Sequence, residues 1–240
     1  MKSYKIIKRT LDVLVSLIGL ILLSPVFLLL SLLVVLDSRG GVFFRGERVG
    51  LHGRSFKIFK FRSMIPDCEG KGKWNVGDND DRITRVGHFL RKSKLDELPQ
   101  LINVLKGDMS LVGPRPELRC YVDMYTEREM PILDNRPGIT DWASITNFEQ
   151  FKGFTAAADP DEYYLKVLRP LKLTLQLYYR DHMSLKNDFR CLFWTAYKVI
   201  TRSAKLPADV QAIVDGYTSS LKADELSEAE CSETKGAKKA

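Results

Sequence analysis

The sequence predicts a helix-rich α/β protein: a re-entrant membrane helix broken at a Ser-Pro step, then a small cytosolic domain with a short β-hairpin and interfacial helices. Three observations predict it. Val13–Leu36 is a run of 24 residues without a charge, interrupted near its middle by Pro25. Basic residues flank that run on both sides. Beyond residue 42 the hydrophobic pattern changes from short alternating stretches to helical spacing.

A secretory signal peptide is a poor match, because its apolar region is shorter and the Arg39–Gly41 segment lacks a small-residue cleavage pattern. At about 1.5 Å per residue the run reaches roughly 36 Å, enough for a hydrocarbon core of ~30 Å. Pro25 has no N–H for the Ile21 carbonyl, and its ring crowds that turn, so the helix kinks or breaks there. Ser24 is placed to hydrogen-bond back into the ladder. Lys2, Lys5, Lys8 and Arg9 precede the run, and Arg39, Arg45, Arg48 and Arg54 follow it. Lys/Arg-rich flanks stay in the cytoplasm, and here both flanks ask for the same side. A helix that enters, breaks and returns satisfies both; a Pro-kinked single span fits the composition equally well. Asp12, at the entrance, has the spacing to pair with Lys8 or Arg9 and is read as a structural anchor.

Charge is concentrated there too. Residues 1–64 hold 11 Lys/Arg against 3 Asp/Glu, so the net charge of +7 belongs to the membrane-proximal part. Cys68, Cys120, Cys191 and Cys231 are scattered, which excludes a zinc ribbon and fits a reducing compartment. His52, His88 and His182 show no metal-binding spacing.

Residues 42–64 read as two strands joined through Gly50–Gly53, with apolar positions interleaved with Arg and Lys. That surface suits anionic lipid headgroups or a phosphorylated substrate, ahead of nucleic acid. In the Gly/Asp-rich loop 66–81, Asp78-Asn79-Asp80 matches the short acidic pattern that glycosyltransferases use for a metal-bound nucleotide sugar, but no hydrophobic strand leads into it. A basic helix is expected over 83–91. A second begins at Asp96, as its N-cap, with Pro99 in the first turn and Gly107 closing it. Gly113–Pro116 and Arg136–Gly138 are rigid turns, each presenting an arginine. Residues 161–202 are helical, with Tyr164, Leu165, Leu168, Leu171, Leu175 and Tyr178 as the buried stripe, and 222–240 should be disordered.

Chemistry concentrates at Asp96-Glu97. A helix start stabilises anions, so both carboxylates should remain ionised. One can act on substrate, as a nucleophile toward phosphorus, while the other holds Mg²⁺; alternatively both only cap the helix. Arg115, between Pro114 and Pro116, is a pre-oriented bidentate phosphate clamp. Lys60, Arg62 and Arg91 are further cations that could converge on phosphate. Asp188 is a site residue or a helix cap.

The segment RITRVGHFLRKSKLDELPQLINVLKGDMSLVGPRP (82–116) resembles the signature of the bacterial sugar transferases called monotopic phosphoglycosyl transferases. The likeness continues in KRTLD (8–12), Ser24-Pro25, FKIFKFRSM (56–64), RPGIT (136–140) and the helices up to about residue 202. It implies a re-entrant helix at the cytoplasmic face of the inner membrane. It also implies transfer of a sugar-1-phosphate from a UDP-sugar to a polyprenol phosphate such as undecaprenyl phosphate, releasing UMP. Asp96 would be the nucleophile of a ping-pong cycle, Glu97 the Mg²⁺ ligand and Arg115 the phosphate-binding arginine. On this reading residues 1–37 are the flank and membrane helix, 38–205 the catalytic domain and 206–240 an extension. The chain looks like the minimal catalytic form, without the several N-terminal spans of larger members. A second copy of the chain remains open as a partner, and nucleic acid is not expected. Many members continue PGIT with a Gly-Trp-Ala-Gln-Val-x-Gly-Arg segment; here Asp141 and Ser144 depart from it and no Gly-Arg follows, so the sugar is not inherited. Two rivals stand beside this reading: a metal-dependent glycosyltransferase using Asp78 and Asp80 and releasing UDP, and a non-enzymatic membrane scaffold.

Overall fold

The computed structural model describes residues 2–65, 80–146, 160–201, 203 and 205–221. The Asp78 part of the acidic pattern, the segment 147–159 and the tail 222–240 lie outside the described residues. Residues 1–203 form one compact unit and 204–240 a second, in which 208–221 is helical.

The first unit starts with α1 (Lys2–Leu22) and α2 (Ser24–Asp37), bent by 64° where they meet. Pro25 offers no N–H to Ile21, and the Ser24 hydroxyl donates to that carbonyl instead, at 2.8 Å. No single described helix is long and apolar enough to cross a membrane, whereas the bent pair together is. Beneath α2, Leu30 and Val34 form a core with Phe61 and Leu90. Its opposite side presents Leu28, Leu29, Leu32 and Leu36 outward.

Four short strands then build a two-part hairpin. β1 (Phe43–Phe44) pairs antiparallel with β4 (Lys60–Phe61), and β2 (Glu47–Val49) with β3 (Ser55–Lys57), around a tight turn at Leu51–Gly53. Next, α3 (Arg85–Ser93) is capped at its start by Thr84, whose hydroxyl accepts from Gly87 N, and by Asp37, which accepts from Val86 N. The helix expected over 83–91 is therefore displaced by two residues, its start fixed by the Thr84 cap.

The expected helix at Asp96 also starts later. Lys94 takes a left-handed conformation (φ 57°) that ends α3, Leu95–Glu97 forms a single 3₁₀ turn, and α4 spans Gln100–Lys106 after Pro99. Gly107 closes α4 at φ 90°, as its sequence position demands.

The strands β5 (Ser110–Val112) and β6 (Gly138–Thr140) pair in parallel, a feature that the two turn motifs alone did not reveal. They approach so closely that a Cβ on Gly138 would lie 2.1 Å from Gly113 N. Only glycine fits there, and the contact draws the loops carrying Arg115 and Arg136 together. Between the strands lie α5 (Arg119–Val122) and a 3₁₀ turn, Met130–Asp134. After β6 come α6 (Trp142–Thr146), α7 (Pro160–Tyr163), a π-turn (Tyr164–Leu168), α8 (Arg169–Asp181) and α9 (Leu185–Thr201). The buried stripe of α8 ends on Tyr179 rather than Tyr178. Both positions suit the helical period, but the Tyr179 hydroxyl reaches Asp188 Oδ1 at 2.6 Å, whereas Tyr178 stacks on His182 near the surface.

The N-terminal helix is fastened to this body by polar contacts. Asp12 does not pair with Lys8 or Arg9 but accepts from Ser110 Oγ (2.7 Å) and Leu111 N (3.1 Å) on β5. Arg9 instead donates to the Val104 and Leu105 carbonyls at the end of α4. Lys8 and Tyr4 both reach Asp188 on α9, at 3.0 and 2.8 Å. Asp188 thus joins α1 to α9, a role that neither reading of it anticipated.

Candidate functional site

The 3₁₀ turn at Leu95–Glu97 places two adjacent carboxylates against the hairpin and the Pro-Arg-Pro loop. Asp96 is 7 % exposed, and its Oδ1 is buried without a hydrogen-bond partner among the described residues. Burial therefore pushes its carboxyl above the ordinary carboxylate value; Lys60 opposes this shift and Glu97 reinforces it. That is the reverse of the expected helix-start effect, because a single 3₁₀ turn lacks the aligned dipoles of a regular helix.

Glu97 has the opposite environment. Its Oε1 accepts from Lys60 Nζ at 2.7 Å and from Arg115 Nη2, and its Oε2 accepts from Arg115 Nη1 at 3.0 Å. Burial pushes Glu97 up, but the charges of Arg115 and Lys60 outweigh it and hold the carboxyl well below its usual value. Neighbouring carboxylates are thus driven apart: one held low by two cations, the other desolvated, with its Oδ1 lacking a partner among the described residues. Such divergence marks sites with divided roles.

The other sequence candidates are placed as follows. Lys60 and Arg115 converge on the carboxylate pair. Arg91, on α3, has Nη1 buried without a partner among the described residues and acts electrostatically on Asp80. Arg62 points elsewhere. Its guanidinium donates to the carbonyls of Val34, Ser38 and Arg39 and caps the end of α2. With those donors committed, Arg62 is a structural cap rather than a phosphate contact. Asp80 is held by Arg82, with Nε at 2.8 Å and Nη2 at 2.6 Å, and these bonds draw its pKa down to about 2. The one described carboxylate of the acidic pattern is thus already paired with Arg82.

Sequence reasoning missed the framework behind Arg115. Glu117 forms a buried ion pair with Lys172 of α8 at 2.5 Å, and its carbonyl accepts from Val49 N. Asp141 and Gln176, both fully buried, reach the Arg115 main chain. The one available signal was at Asp141, where the RPGIT motif departs from its usual continuation.

A profile of the family described as "Bacterial sugar transferase" matches residues 3–202. The chain belongs to the bacterial sugar transferase family. Among its relatives in this family, a UDP-N-acetylgalactosamine-undecaprenyl-phosphate N-acetylgalactosaminephosphotransferase from Aeromonas hydrophila is 41% identical over 82% of this chain and 44% of its own length. The UDP-glucose:undecaprenyl-phosphate glucose-1-phosphate transferase of Escherichia coli K12 is 37% identical over 83% of this chain and 41% of its own length. The chain therefore spans less than half of these two bacterial sugar transferases. The sugar transferase EpsL of Bacillus subtilis is 37% identical over 81% of this chain, and the match takes in 88% of EpsL.

Proposed function

We propose that the chain transfers a sugar-1-phosphate from a UDP-sugar to undecaprenyl phosphate or a similar polyprenol phosphate, through a phosphosugar carried on Asp96. The observation that carries this is the unpartnered, desolvated Asp96 carboxylate beside a Glu97–Arg115–Lys60 cluster. Desolvation strips water from a nucleophile, and the two cations are the charges that a diphosphate recruits. The names of the relatives supply the substrate classes.

An Asp96 oxygen attacks the sugar-linked phosphorus. The bond from that phosphorus to the bridging oxygen breaks, and UMP leaves with the oxygen and its electron pair. A polyprenol phosphate oxygen then attacks the same phosphorus and returns the Asp96 carboxylate. The residues fit Mg²⁺, which takes one or two carboxylates plus substrate phosphates: Asp96 Oδ1 is an open acceptor, and Glu97 adjoins it. Bound there, Mg²⁺ would neutralise charge on the diphosphate. Glu97 already accepts from Arg115 and Lys60, and donor phosphates that drew those cations away would leave its oxygens free to hold the ion.

The broken helix supports a place at the membrane. Leu22, Leu28 and Leu36 are 72 %, 73 % and 74 % exposed, an apolar exterior that suits lipid. The 14 residues of α2 extend only about 21 Å, so α2 by itself does not cross a ~30 Å core. With basic residues on both flanks, this supports a re-entrant helix with both ends at the cytoplasmic face of the inner membrane. Cysteines placed at residues 2–8 and 39–48 should both be labelled from the cytoplasmic side; periplasmic labelling of residues 2–8 would refute re-entrance.

The reaction itself is tested by incubating the detergent-solubilised chain with Mg²⁺, undecaprenyl phosphate and a panel of UDP-sugars. UMP release with one donor is the expected result. UDP release would move the chemistry to a glycosyltransferase.

A further inference from the structure

The side chain of Arg115 is held by Glu97, but its main chain is held by a different pair. Pro114 and Pro116 have no N–H, so the Arg115 amide is the one backbone donor of the Pro-Arg-Pro tripeptide. It donates to Asp141 Oδ2 at 3.0 Å. The Arg115 carbonyl accepts from Gln176 Nε2 at 3.3 Å, and the same nitrogen donates to Asp141 Oδ2 at 3.2 Å. The other oxygen, Asp141 Oδ1, accepts from Ser144 N at 2.6 Å and caps α6. Both main-chain polar groups of the arginine are thus anchored to two fully buried side chains, one following β6 and one on α8.

We infer that Asp141 and Gln176 are positioning residues that set the Arg115 backbone, and with it the direction from which the guanidinium meets the donor diphosphate. The inference rests on the phosphoglycosyl transferase reading for the identity of that diphosphate. A planar fork binds phosphate only from a restricted set of directions. A misplacement of about 1 Å at such a group costs on the order of 10²-fold in rate.

Two substitutions isolate the pair. Asp141→Ser keeps an oxygen able to cap α6 but withdraws the one that reaches Arg115. Gln176→Met keeps the volume and helix while removing the donor to Arg115. Gln176 Oε1 has no partner among the described residues, so the group newly left without its donor is the Arg115 carbonyl, which is the intended change. Each should lower donor kcat/KM by roughly 10- to 100-fold, at a thermal midpoint close to that of the unaltered chain. The same substitutions made with Arg115→Lys should change kcat/KM by less than about 2-fold, because a lysine is a point charge on a flexible stem. A loss of equal size in both backgrounds, or no loss in either, overturns the inference. Calorimetric titration with inorganic pyrophosphate provides a readout independent of turnover and should show the same dependence on Arg115. If the unaltered chain releases no UMP from any donor, the functional reading fails, and the pyrophosphate titration still decides the role of the pair.

Discussion

Asp96→Asn should lower UMP release by on the order of 10³-fold or more, the scale expected when a covalent nucleophile is removed. The substitution preserves volume in a buried position and leaves Lys60, Glu97 and Arg115 in their mutual contacts. The loss should therefore fall on chemistry rather than on folding. The decisive readout is covalent: with radiolabelled donor and no polyprenol phosphate, the unaltered chain should acquire label and the variant should not. Normal labelling of Asp96→Asn would sink the aspartyl mechanism. Labelling should also depend on pH in a stated direction. Asp96 must be ionised to attack, and burial raises its pKa. The acidic limb should therefore lie above the ordinary aspartate value of about 3.9. Glu97, held low by two cations, should not contribute to that limb.

Glu97→Gln should produce the second large effect, with turnover falling on the order of 10²-fold or more. The neutral amide cannot balance Arg115 and Lys60, so both cations become available to the donor before any metal arrives. Donor KM should hold or fall while kcat drops, and the Mg²⁺ concentration for half-maximal rate should rise. A Mg²⁺ titration curve that superimposes on that of the unaltered chain would remove Glu97 from the metal's environment.

Local features were the ones legible from residue order. Pro25 forbids one hydrogen bond, and the chain bends between Leu22 and Ser24. Gly107 must stop α4, and alternation around Gly50–Gly53 gives the hairpin. Asp96, Glu97, Lys60 and Arg115 were nameable because their residue types at those places suit phosphate chemistry. What stayed hidden depends on partners distant in sequence. Asp12 bonds Ser110, 98 positions away, although Lys8 and Arg9 lie within one helical turn. Arg62 has the same residue type as Arg115 but is consumed by carbonyls more than 20 residues earlier. The parallel pair β5–β6 is invisible for another reason: three-residue strands between glycine and proline are too short to display a period. Asp141 is hidden for both reasons together.

The double cap at the end of α2 has a mechanical consequence. Arg62 grips the last carbonyls of that helix, Asp37 at its end grips the start of α3, and Lys60 stands two residues before Arg62. The hairpin is therefore a spacer of fixed height between the helix end and the carboxylate pair. On the proposed re-entrant reading, the same spacer would set how far the Asp96 oxygens stand above the acyl chains. On that reading, a lipid-borne phosphate confined to the headgroup layer would meet the proposed nucleophile by sliding sideways, without being lifted out of the bilayer.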